Sequence, residues 1–170
     1  EEYLRQYRMF PMLNLKDQEH LIINTLYPIH PATLLILPTL SNIFGQNERT
    51  LFTFLESNET GGLVNHIQKK TGYYLPHQLF DYFFVNTGEN ELSNELADQL
   101  TLYKKAFSRF NVTKVDEELA TACLKFITLW NLVSLTKTYP ITNELLGFVL
   151  LANQKDLEYV LSQLQHFKSI

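Results

Sequence analysis

Hydrophobic residues recur every three or four positions along most of the chain, which is the spacing of an amphipathic α-helix. The pattern is strongest over residues 90–110 and 116–135. In the first of these ranges the apolar positions are Leu92, Leu96, Leu100, Tyr103 and Phe107. No long stretch alternates apolar and polar residues as a half-buried strand would. The sequence therefore predicts an all-α fold, a multi-helix bundle of about eight or nine helices.

Shorter helical patterns lie between proline and glycine residues that interrupt them. The further predicted helices are 16–26, 31–44, 48–56, 79–84, 142–151 and 154–167, and residues 1–10 and 63–70 have weaker patterns that would allow a short helix. In the helix 16–26, Leu21, Ile22 and Leu26 are expected to share one face. Asn47 is expected to cap the helix 48–56, and Gly45 to close the helix before it. Residues 79–84 are so rich in aromatic side chains that a strand remains the alternative.

The order of the predicted helices suggests two parts. Residues 1–115 form a helical subdomain, and residues 116–170 form a three-helix, winged-helix-like subdomain without its wing. The sequence starts at Glu1 with no initiator methionine and no export signal, so we expect a fragment of a larger protein.

The composition of the chain narrows the classes of partner that it is expected to bind. The chain has 170 residues, 45% hydrophobic, with a formal net charge of −4, which does not favour disorder or strong nucleic-acid affinity. The last helix carries Lys155, Glu158 and Lys168, too mixed in sign to neutralise phosphates, so DNA binding by this chain is unlikely and protein contact is favoured. The single cysteine, Cys123, excludes an internal disulfide and suits the cytoplasm. No apolar run is long enough to span a membrane.

Motifs that carry chemistry are scarce. The sequence contains no phosphate-binding glycine loop, no GxGxxG and no HExxH, and its 5 histidines are scattered. Asp81 beside Tyr82, and the acids at 116–118, could act as paired carboxylates, but acids at helix starts are usually stabilising. We expect no catalytic site and no metal site in this chain, although a metal site built from distant residues stays open.

The most unusual segment is residues 26–56. It begins with Tyr27-Pro28-Ile29-His30-Pro31, continues through a leucine-rich helix, and reaches a polar cluster, Gln46-Asn47-Glu48-Arg49, before a second helix. Pro31 suits the first turn of a helix because its missing N–H would have no partner there. The pattern predicts a two-helix hairpin with a polar tip. The tip is explained either by helix capping with a solvated Arg49, or by a function.

This segment resembles a family, the large bacterial P-loop ATPases of AAA and STAND type, which include the ATPase of phage-exclusion defence systems. In that family Y-P-hydrophobic-H-P precedes a leucine-rich helix and then Q-N-E-R-T/S-L-F-x-F-L. The matching residues here are Tyr27, Pro28, His30, Pro31, Gln46, Asn47, Glu48, Arg49, Leu51, Phe52, Phe54 and Leu55. Residues 79–83 and 117–165 resemble the family's downstream regions more weakly.

The resemblance implies a non-catalytic regulatory or interdomain helical domain that follows an ATPase core. ATP and Mg²⁺ would be bound by that core, which would be the partner of this domain, and a homo-oligomer is also expected. His30 and Arg49 would face the nucleotide from an exposed surface, supported by Pro28, Pro31, Gln46, Asn47 and Glu48. An arginine fork suits a phosphate, and so does a helix N-terminus. The competing interpretation makes the polar tip a clamp within the domain.

Two other functions remain. One is an independent protein- or DNA-interaction module; the other, ranked last, is a stand-alone helical enzyme. If a missing core packs on this domain, an apolar patch should be bare near Tyr3, Tyr7 and Phe10 or at Phe80–Phe84.

Overall fold

The computed structural model describes residues 2–45, 50–69, 72–87, 92–109 and 117–166. Within these ranges the fold is all-α, as predicted, and no strand is formed. The helices are α1 (Glu2–Tyr7), α2 (Leu15–Asp17), α3 (Pro31–Ile43), α4 (Leu51–Glu56), α5 (Leu63–Lys69), α6 (Gln78–Phe80), α7 (Asn94–Ser108), α8 (Glu117–Leu132), α9 (Asn143–Leu150) and α10 (Gln154–His166). Two of them, α2 and α6, continue as wider π-helical turns, Gln18–Thr25 and Asp81–Val85.

The π-helical turn after α2 corrects the predicted burial of this segment. Its backbone bonds reach five residues back, as in the 3.0 Å bond from the Leu26 N–H to the Leu21 carbonyl. A wider turn changes which side chains share a face. Gln18 and Ile22 are therefore buried together, whereas Leu21 and Leu26 are exposed.

The hairpin of α3 and α4 forms, with different ends from those predicted. Pro31 takes the first position of α3 as expected. The helix ends at Ile43, but Gly45 does not close it in a left-handed conformation. The second helix starts at Leu51, later than predicted, because Thr50 caps it in a reciprocal capping box with Thr53. Asn47 lies outside the described residues.

The aromatic segment 79–84 is helical throughout, so the strand alternative is wrong. Phe80, Tyr82, Phe83 and Phe84 are all almost fully buried. The expectation of a bare apolar patch at Phe80–Phe84 is therefore also wrong, because these rings supply part of the core. Near the N-terminus the rings are half-buried, and Tyr3 stacks on Phe148 with ring centroids 4.8 Å apart.

The long helix α8 is the centre of the molecule. It contacts α6, α7, α9 and α10. Trp130 is fully buried in it, and its indole N–H donates to the Tyr139 carbonyl at 2.9 Å. One cluster of buried side chains runs from Leu4 to Leu164, so the core crosses the proposed boundary between 115 and 116. Helices α8, α9 and α10 pack on one another, and the winged-helix comparison stays a prediction.

A membrane span was not expected. In the part of the chain that the structure describes, no helix is both long enough and apolar enough to cross a bilayer.

Candidate functional site

The Tyr27–Pro31 segment is built into the core through Tyr74. The Tyr74 N–H donates to the Pro28 carbonyl at 2.7 Å, and the His30 N–H donates to the Tyr74 carbonyl at 3.1 Å. These bonds pair Ile29 with Tyr74 in an isolated parallel bridge. The Thr33 hydroxyl donates to the same Tyr74 carbonyl at 2.9 Å. The start of α3 is thus tied to a segment distant in sequence, and we call this arrangement the His30 joint.

The His30 side chain is the N-cap of α3. Its Nδ1 accepts a 3.1 Å bond from the Ala32 N–H, so this nitrogen carries no proton and Nε2 is the protonated one. The ring also hydrogen-bonds the Phe148 backbone. Only 2% of the residue is exposed. Burial lowers its pKa from 6.5 to about 4, against a smaller opposite effect of the Phe148 bond, so the imidazole is neutral at pH 7.

Aromatic rings complete the His30 joint. The imidazole lies 4.6 Å from the Phe148 ring and 5.8 Å, edge to face, from the Tyr73 ring, measured between centroids. Phe148 belongs to α9 and also supports Tyr3 of α1. Three separate parts of the chain therefore meet at His30, and Phe148 links them to α1.

These contacts correct one expectation from the sequence. His30 does not lie on an exposed surface; its polar atoms are used within the domain. Pro28 and Pro31 are in the joint, Pro28 through its carbonyl and Pro31 as a buried residue at the first turn of α3. Gln46, Asn47, Glu48 and Arg49 lie outside the described residues. The structure places α3 and α4 on either side of them, where the Ser41 hydroxyl accepts a 2.6 Å bond from the Leu51 N–H.

A polar cleft of about 700 Å³ lies between α6 and the first half of α8. Asp81 lines this cleft together with Glu117 and Glu118, the acids singled out in the sequence. Asp81 is not available as a simple carboxylate pair, because Lys125 donates to its Oδ1 at 2.6 Å. The Lys125 ammonium also lies 5.8 Å from the centre of the Phe80 ring. The two glutamates are exposed in the first turn of α8, where acids stabilise the helix.

A smaller cleft of about 210 Å³ adjoins the first and shares Gln78 and Asp81 with it. Gly61, Gly62 and His66 form part of its wall. His66 is buried, with Nε2 3.1 Å from the Gly72 carbonyl and no partner for Nδ1.

Tyr74 is the buried residue that connects this cleft to the joint. Its hydroxyl donates to the Gly61 carbonyl. Burial, and then the negative charge of Asp81, raise the pKa of Tyr74 well above 10. The hydroxyl is therefore a permanent hydrogen-bond donor at physiological pH.

The structure adds residues that the sequence patterns did not single out. Tyr74 precedes Pro76 in what reads as a simple turn, and nothing local shows that its backbone pairs with residues 28 and 30. Lys125 gave a weak signal in the sequence, because it is a charged residue inside the apolar run Leu124-Lys125-Phe126 of a regular helical pattern. A partly buried lysine of this kind usually has a partner of opposite charge.

The remaining reactive groups lie in environments that suit a structural role. Cys123 is buried, and burial raises the pKa of its thiol to about 12, which keeps it protonated and unreactive. Among the residues that the structure describes, no three His, Cys, Asp or Glu side chains are grouped to hold a metal ion.

Comparison with known proteins finds no significant match to a protein-family model, to a curated protein or to a solved structure.

Proposed function

We propose that this chain is a non-catalytic helical interdomain domain of a larger bacterial ATP-binding protein, in which it supports a nucleotide-facing arginine, Arg49. A role of the whole protein in phage defence follows the same resemblance. The observation that carries the proposal is the His30 joint. The Tyr27–Pro31 motif that resembles the ATPase family is fixed by contacts with Tyr74 and Phe148.

The joint supports the proposal because it holds the α3–α4 hairpin rigidly against the rest of the domain. The first turn of α3 is held by His30, Thr33 and Tyr74 together. The other end of the helix is tied to α4 by Ser41 and Leu51. A displacement of residues 46–49 would therefore be transmitted to Phe148 in α9. A displacement of α9 would likewise be transmitted to residues 46–49, since packed elements transmit displacements as units.

The role proposed for His30 is positioning. Its ring is neutral, buried and already bonded at Nδ1, so it suits support of the hairpin and not direct contact with a phosphate. Arg49 is the residue proposed to meet nucleotide, since a guanidinium stays charged and binds phosphate oxygens in pairs. ATP and Mg²⁺ would be held by another part of the same protein.

The experiment compares ATP turnover and ATP affinity of the full-length protein with those of its Arg49→Ala variant. Lys155→Ala, an exposed cation on α10, is the control. We expect Arg49→Ala to lower turnover or affinity at least about tenfold, the effect typical of losing a charged phosphate contact, and Lys155→Ala to change neither. Circular dichroism checks that both variants fold.

A full-length protein that does not bind ATP would overturn the proposal. Normal turnover and affinity in Arg49→Ala would make the polar cluster 46–49 a clamp, and the chain would then be better described as an independent protein-interaction module.

A further inference from the structure

We draw no further inference here: the strongest candidate, the polar cleft between α6 and the first half of α8, is an acidic cluster at the start of a helix, its Asp81 already paired with Lys125, and nothing among the described residues shows what would bind there.

Discussion

At the scale of single residues, His30 makes interactions that all favour a neutral ring. The Ala32 N–H needs a free lone pair on Nδ1, and the Tyr73 and Phe148 rings exclude water. Protonation would turn Nδ1 into a second donor facing the Ala32 donor. The histidine therefore acts as a helix cap whose strength depends on pH.

A pH dependence of stability follows from this. The His30 pKa is about 4 in the folded chain and about 6.5 when unfolded, so between these values the unfolded state binds more protons. The stability contribution is complete above pH 6.5 and is lost as the pH falls towards 4. We expect His30 to account for roughly 2–3 kcal/mol of the loss between pH 7.5 and pH 4.5.

Urea unfolding at these two pH values measures the effect. In the His30→Asn variant, which keeps a capping side chain, the loss of stability with falling pH should be smaller by that amount. His20→Asn removes an exposed histidine in the neighbouring segment and should lose as much as the unchanged chain. Equal losses in all three proteins would contradict the assignment.

Residue roles were only partly visible in the sequence. The Pro28–Pro31 spacing identified His30 and the start of α3, because proline at a first helical turn is a local rule. The burial of His30 was not visible, since it depends on Tyr74 and Phe148, which are distant in sequence. The roles of Tyr74 and Lys125 are likewise properties of the packed molecule.

At the scale of elements, helical spacing predicted the helices well and their ends less well. Helices α7 and α8 form where the apolar period is regular. The π-helical turns at Gln18–Thr25 and Asp81–Val85 escaped prediction, because a period of 3.6 residues was assumed throughout. The start of α4 was misplaced because Thr50 and Asn47 are both good caps, and the capping box with Thr53 decided between them.

The loop between α4 and α5 touches the segment after α6 at a glycine. Gly61 has φ +81°, and a Cβ there would lie 2.6 Å from the Tyr82 backbone nitrogen. Gly61→Ala should therefore lower the free energy of unfolding by roughly 2–4 kcal/mol, from backbone strain together with overpacking.

Two other glycines separate these causes. Gly72 has φ +111° but open space around it, and Gly45 has open space without a positive φ. Gly72→Ala should lose about 1–2 kcal/mol from strain alone, whereas Gly45→Ala should be neutral or slightly stabilising. Urea unfolding ranks the three variants. A Gly61→Ala variant no less stable than Gly72→Ala would show that the loop does not press on Tyr82.

At the scale of the whole molecule, the fold class could be predicted from the sequence. The division into subdomains could not be tested by helix order alone. Helical periodicity throughout the chain predicts an all-α fold without any knowledge of tertiary contacts. A boundary at 115/116 was inferred from helix order, which says nothing about how the two parts share a core. In the structure α8 packs on helices from both parts, and Phe148 of α9 contacts His30 and Tyr3.

This shared core predicts a single cooperative unfolding transition. Trp130, the one tryptophan of the chain, is fully buried in the second part and reports on it by fluorescence, whereas circular dichroism reports on helices of both parts. The two signals should give the same urea midpoint. Gly61→Ala, a change in the first part, should move both midpoints equally, because Trp130 can lose its surroundings only when the common core opens. If circular dichroism moved and the Trp130 transition did not, residues 1–115 and 116–170 would be independent folding units, and the proposed transmission from the hairpin to α9 would lose its physical basis.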